Sequence, residues 1–255
     1  MKLSFSTLGC PGWTVEEMIA AAADLGYAGV EFRAIGAAAE NEKIIKKLAA
    51  KGAKIACLAT DALLHETDEA NMELAKDYIM LAGELDVPYI RVLGDTAPAP
   101  GPGTVNLDLV QDRLCALAPL AAASGVTLLV ESNGVLAESA RLRALIEAVG
   151  SEAVQVLWDL HHPARYFNET PAQTYAQIGL YVKHVHLKDA KMENGVLTYK
   201  MLGYGDLPVK EAMALLGQGG YDGFYSLEWT KRWNRELEDA GIVFAQFVKA
   251  MQKFV

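Results

Sequence analysis

A chain of 255 residues, 52% hydrophobic and 22% charged, has a globular composition and enough length to bury a large core. Its 23 basic and 32 acidic residues leave a net charge of −9, which argues against general attraction to nucleic-acid backbones or anionic membranes. The cysteines, Cys10, Cys57 and Cys115, are too few and too scattered for a disulfide framework or a zinc knuckle. Each is expected to be a small buried apolar residue. No apolar run approaches the ~18 residues of a membrane span. The N-terminal "MKLSFSTLGCPGW" is broken by Gly and Pro and does not read as a signal peptide, so a cytoplasmic location is expected.

The first strand is expected at residues 3–7, "LSFST". Thr14 and Glu17 then make a capping-box pattern at the head of "VEEMIAAAADLG", which should be helical. Further strands are expected at 28–33 (AGVEFR), 54–60 (KIACLAT), 89–94 (YIRVLG) and 126–132 (VTLLVES). The last three are 154–159 (VQVLWD), 182–189 (VKHVHLKD) and 223–229 (GFYSLEW). Between them "NMELAKDYIMLAGELD" and "NLDLVQDRLCALAPLAAASG" carry apolar residues at three-to-four spacing, the mark of amphipathic helices. Eight strands alternating with about eight helices predict parallel βα units. Eight such units close a (β/α)₈ TIM barrel, here a single domain over residues 1–255. An open doubly wound sheet usually shows a GxGxxG loop after its first strand, and "STLGCPGW" has none. The Pro- and Gly-rich run at 96–103, "TAPAPGPG", is read as a long loop after the fourth strand, bordering the pocket, rather than as a domain linker.

In a TIM barrel the loops after the strands share one end. Glu131 ends the fifth strand, Asp159 the sixth with His162 three residues on, His186 lies in the seventh, and Glu228 ends the eighth. Three carboxylates in one cavity repel: at ~5 Å and an effective dielectric of about 20, each pair costs roughly 3 kcal/mol. A divalent cation removes that cost. Three carboxylates with one imidazole form a hard, oxygen-rich set, for which Mn²⁺ is the first choice, with Mg²⁺, Co²⁺ or Zn²⁺ as alternatives. On the seventh strand His184, His186 and Lys188 share a face by alternation. His184 lies deeper and is expected to be a hydrogen-bonded core histidine. Lys188 could steady an enolate oxygen or simply pair with an acid. His65 and Arg33 end or follow strands and are candidates for substrate contact, against the plainer readings of a loop histidine and a surface ion pair. Trp13, Trp158 and Trp229 flank strand ends and could wall the cavity.

The motifs "LGYAGVEFR", "VES", "WDLHH", "HVHLKD" and "GYGDLPVKEAMALLGQGGYDGFYSLEW", spread over nearly the whole chain, resemble the xylose-isomerase-like barrels described as sugar phosphate isomerases and epimerases. The resemblance implies that Glu131, Asp159, His186 and Glu228 are metal ligands, that Glu131 and Glu228 are also the acid/base pair, and that His162 contacts substrate. It implies an isomerase or epimerase that abstracts a proton next to the carbonyl of a small polyhydroxylated substrate. A dehydratase of the inosose or dehydroshikimate type, using the same enolate, is the alternative. The sequence departs from the ketose 3-epimerase pattern where Ala137 replaces a second Glu and Met192 replaces an Arg. An abasic-site endonuclease shares the barrel but needs three metals and more ligands than five histidines and this charge suggest. A sugar-binding module that kept the pocket without turnover is the non-catalytic reading. No nucleic-acid or membrane partner is expected, and a homo-oligomer is possible.

Overall fold

The structure, a computed structural model, describes residues 1–96, 99 and 105–254. The chain opens with β1 (Lys2–Ser6), α1 (Val15–Leu25), β2 (Gly29–Ala34), α2 (Ala38–Ala50) and β3 (Ile55–Leu63). It continues through α3 (Ala70–Glu84), β4 (Tyr89–Leu93), α4 (Leu107–Ala123), β5 (Thr127–Glu131), α5 (Ser139–Val149) and β6 (Val154–Asp159). Then come α6 (His161–Phe167), α7 (Pro171–Ile178), β7 (Val182–Leu187), the strands β8 (Asp189–Glu193) and β9 (Val196–Lys200), α8 (Val209–Gln218), β10 (Phe224–Leu227) and α9 (Ala240–Met251). Eight parallel strands close in the order β1-β10-β7-β6-β5-β4-β3-β2, the expected (β/α)₈ barrel. Strands and helices follow the sequence periodicity closely. The capping box forms as read: the Glu17 backbone N–H donates to Thr14 Oγ1 (3.3 Å), and Glu17 Oε2 accepts from the Thr14 N–H (2.7 Å). Helix α1 stops at Gly26, whose φ of 74° is a left-handed conformation that glycine adopts without strain.

The largest apolar cluster lies between the outer strand faces and the helices, with Phe5, Trp158, Phe244 and Phe247 almost fully buried in it. The inward faces are different. A small separate plug of Cys57, Leu129 and Leu157, with Tyr89 against it, fills the lower barrel. Above it the inward positions of the strands turn polar. Register sets their heights: Glu31 pairs with Cys57, Leu157 with both His184 and Glu131 through its two neighbouring strands, and His186 with Asp159 and Ser226.

Two expectations change, and a third falls mostly on residues that the structure does not describe. Cys10 and Cys57 are buried, but Cys115 is exposed on the outer side of α4 and is not a core residue. Most of 96–103 lies outside the described residues; within it Thr96 does line the main cavity. The seventh strand ends at Leu187 rather than 189, because Asp189 begins the hairpin β8–β9, which turns at Asn194 (φ 53°) and Gly195 (φ 80°). Asn-Gly at two left-handed positions is the preferred two-residue hairpin turn, so the signal was present in "MENGVLTYK". Among the described residues no helix is long and apolar enough to cross a membrane.

Candidate metal centre

Glu131, Asp159, His186 and Glu228 converge at the C-terminal end of the strands, each able to offer one atom within 4.8 Å of the others'. Their convergence follows from register, since Asp159 is level with His186 and Glu131 sits one strand over. All four are nearly or wholly buried. In each carboxylate one oxygen is tied down and the other faces a shared centre. Glu131 Oε2 accepts from Arg91 Nη1 (2.7 Å), leaving Oε1 3.9 Å from His186 Nδ1. Asp159 Oδ1 accepts the backbone N–H groups of His161 (2.8 Å) and His162 (3.3 Å) at the start of α6, leaving Oδ2 3.9 Å from the same Nδ1. Glu228 Oε2 pairs with Lys188 Nζ, leaving Oε1 3.5 Å from His186 Nδ1.

Lys188 also brings its ammonium to 2.5 Å from Asp159 Oδ2 without completing a hydrogen bond to it. Neither Asp159 Oδ2 nor His186 Nδ1 has a hydrogen-bond partner among the described residues. Buried atoms of this kind are normally satisfied. The unpartnered His186 Nδ1, three carboxylate oxygens turned to the same point and a hard, oxygen-rich set of ligand atoms fit a divalent cation.

Electrostatics agree. Burial pushes Glu131 up, but Arg91, His186, His162 and Lys188 outweigh it and hold the carboxyl at about 2. Burial likewise opposes ionisation of Glu228, and Lys188 and His186 bring it below its ordinary value. Burial would push His186 down, yet Glu31 and Glu228, with Glu131 behind them, hold it up to about 9. The centre is therefore a dense set of opposite charges in low dielectric.

Above it opens a cavity of about 520 Å³, within the usual range for small-ligand sites. Arg33, Arg91, Glu131, His162, Lys188 and Glu228 line it. Arg33 makes an ion pair with Asp61, but both belong to the cavity wall and the guanidinium is mostly buried, so the plainer reading of a surface ion pair does not describe it. His162 places Nδ1 3.0 Å from the Ser132 carbonyl, which can only accept, so Nδ1 carries the proton and Nε2 keeps its lone pair. Burial lowers its pKa and keeps the ring neutral. His65 does not join the lining; its Nε2 is 2.8 Å from Thr96 Oγ1 and 3.3 Å from Glu66. Of the tryptophans, Trp158 and Trp229 are core residues and Trp13 lines a neighbouring cleft. The one that borders this cavity is Trp233, which the sequence reading did not select.

A family model for the xylose isomerase-like TIM barrel matches residues 19–245. The chain belongs to that family. Its backbone is similar to that of a probable 3-DHS dehydratase, AsbF, from Bacillus anthracis (19% identity, 99% of both chains, TM-score 0.77). It is similar to a D-allulose 3-epimerase from Methylomonas sp. (15% identity, 100% of this chain and 97% of the other, TM-score 0.77). A xylose isomerase-like TIM barrel protein from Mycobacterium smegmatis, solved in complex with magnesium, matches at 17% identity over 99% and 96% of the chains (TM-score 0.76). At these identities the likeness is one of fold. No curated protein sequence matches the chain.

Within this family member, sequence reading missed three buried polar residues that shape the centre. Glu31 Oε2 lies 2.8 Å from Nε2 of both His184 and His186, and all three side chains are sealed from solvent. Arg91 bridges Glu131 and the Thr60 carbonyl (2.7 Å). His161 sits beside His162 with neither ring nitrogen hydrogen-bonded among the described residues. Tyr199 of the hairpin also lines the cavity, 6.1 Å from the His161 ring.

Proposed function

We propose that this chain is a divalent-metal-dependent isomerase or epimerase of a small polyhydroxylated carbonyl compound, a sugar or a sugar-like polyol. The observation that carries the reading is the buried constellation of Glu131, Asp159, His186 and Glu228, each with one atom locked and one turned to a shared centre. These four residues would hold the ion, Mn²⁺ by preference and Mg²⁺, Co²⁺ or Zn²⁺ otherwise. Once bound, it supplies Lewis-acid polarisation of a carbonyl and the neighbouring hydroxyl, which acidifies the C–H between them.

The residues supply the proton traffic. Glu131 ends β5 and Glu228 follows β10, with β6 and β7 between them in the barrel, so the two carboxylates approach a substrate from different sides. One carboxylate takes the proton from carbon, leaving an enediolate; the other, having first taken a proton from solvent, delivers it to the opposite face, which inverts the centre. Return to the adjacent carbon instead interconverts aldose and ketose. His162 offers its Nε2 lone pair to a substrate hydroxyl. Lys188 and Arg33 offer N–H donors to substrate oxygens, and the ammonium of Lys188 is the natural partner for oxyanion charge. His65 contributes from the rim through Thr96, outside the cavity proper.

The test is solvent-deuterium incorporation into a panel of ketoses, inososes and keto acids with Mn²⁺ present, read by mass spectrometry. Exchange at one carbon with formation of its epimer or isomer supports the reading. No exchange in any substrate class, or full turnover after exhaustive chelation, removes it.

A specific pair of side chains speaks against a ketose 3-epimerase in particular and keeps the dehydratase as the second reading. Ala137 is buried and apolar and Met192 is exposed on the hairpin, so neither can make the polar contacts that a ketose 3-epimerase pattern places there. In that reaction the same carbon-bound proton leaves, hydroxide departs from the β carbon with a proton from an acidic side chain, and water and an enone result. Ultraviolet absorbance of the enone distinguishes it.

A further inference from the structure

Two histidines on one inward strand face each bring Nε2 to 2.8 Å from a single oxygen of a carboxylate three strands away around the barrel. Glu31 lies on β2, paired in register with Cys57 of the plug, and neither it nor its two histidine partners touch solvent. We infer that Glu31 is a positioning residue for the metal centre: by accepting the Nε2–H of His186 it fixes the ring's tautomer and rotation so that Nδ1 faces the three carboxylates. The inference rests on the metal reading above and adds to it a residue that touches neither substrate nor ion.

The geometry leaves little alternative. An ionised carboxylate, the ordinary state of glutamate at neutral pH, has no proton to give, and here its one oxygen Oε2 faces two ring nitrogens at once. At 2.8 Å the Nε2 atoms of His184 and His186 must therefore both be donors. That assigns the lone pair of a neutral His186 to Nδ1, the atom 3.5 Å from Glu228 Oε1 and 3.9 Å from both Glu131 Oε1 and Asp159 Oδ2. His184 has the matching role one step removed. It gives Oε2 a second donor, so that oxygen is held from two sides. A ring held by one nitrogen presents the other at a defined angle, which is how outer partners of ligating histidines strengthen metal binding.

Glu31, His184 and His186 also form a ligand-type cluster in their own right. A second ion there would have to take His186 Nε2 away from its hydrogen bond. Stoichiometry decides between the two arrangements.

The experiment measures Mn²⁺ binding to chelator-stripped full-length protein by calorimetry for wild type, Glu31→Gln and His184→Gln. Circular dichroism confirms that each variant is folded. Wild type should bind one ion per chain. Glu31→Gln should bind it about 10- to 100-fold more weakly, with His184→Gln affected less. In parallel, long-range nitrogen NMR of Zn²⁺-loaded wild type should show His186 protonated at Nε2. This readout needs no variant and stands even if Glu31→Gln does not fold. Unchanged affinity in folded Glu31→Gln overturns the inference, as does an unprotonated His186 Nε2 or a stoichiometry of two. Wild type that binds no Mn²⁺ would instead overturn the metal reading itself.

Discussion

Arg91 and Glu131 form a buried ion pair at 2.7 Å, with side chains only 5% and 3% exposed, and a pair so enclosed is worth most when one partner is removed. Replacing Arg91 by Met should cost about 3–5 kcal/mol in chelator-treated protein, because Glu131 is left buried and uncompensated. Urea unfolding reads this directly, and added Mn²⁺ should return part of the loss. Glu131→Gln and Glu228→Gln keep size and one oxygen while removing the base, so each should retain some metal and lose about 10²- to 10⁴-fold in rate. In an epimerase the loss is directional: one variant still exchanges the proton of one epimer with deuterated water and fails with the other. Asp159→Asn supplies the control, and equal losses in all three variants that track metal loss would put the dehydratase ahead. A third expectation concerns His186. Its pKa of about 9 lies above the ordinary value of 6.5, so its stabilisation is complete below 6.5 and is lost as pH rises through about 9. Metal-free protein should melt several degrees lower at pH 9.5 than at pH 6.5, and His186→Gln should flatten that slope. The four centre residues were legible because they lie at or beside the C-terminal ends of neighbouring barrel strands. Glu31 and Arg91 were not, because each is a single charge inside an apolar run, "GVEFR" and "YIRVL". Alternation alone would have put Glu31 on the same face as Arg33; its partner on β7 is 153 residues away and has no local signature.

At the level of elements, period-two and period-3.6 patterns located the barrel strands, since these alternate with helices of ordinary length. The hairpin β8–β9 escaped because its first residues continue the alternation of β7 without a break, and only the Asn-Gly turn marks the reversal. Its anchor is Asp189, whose carboxylate accepts the backbone N–H groups of Ala190, Gly203 and Gly205 at 2.9 Å and of Leu207 at 3.4 Å. Gly205 must be glycine, as a Cβ there would collide with that carboxylate. Asp189→Ala should therefore loosen residues 190–206 while sparing the barrel. Hydrogen–deuterium exchange should rise in that segment alone. Because Tyr199 reaches the cavity from β9, KM should rise more than kcat falls; uniform exchange throughout the chain would show instead that Asp189 supports the barrel as a whole.

The whole barrel joins two halves of opposite character, an apolar lower plug and a charged upper chamber, closed by strands that leave no free edge in the barrel sheet. Three carboxylates turned toward one point are tolerated without an ion only because Arg91, Lys188 and His186 answer them. An ion bound to the folded state alone adds about 2.7 kcal/mol at a hundred times its dissociation constant. The melting temperature should thus climb steadily with Mn²⁺ concentration and stay flat in His186→Ala over the same range. The hairpin gives this arrangement another property. The carboxylate of Asp189 ties down both the start of the hairpin and the turn that follows it, while the tip at Asn194 and Gly195 is exposed on a two-stranded sheet separate from the barrel. Residues spliced into that tip would change neither the shear of the barrel nor the spacing of its ligands, and doubling such a loop costs only about 0.6 kcal/mol in closure entropy. The tip is thus a port where a new recognition segment can be grafted beside an intact charged chamber.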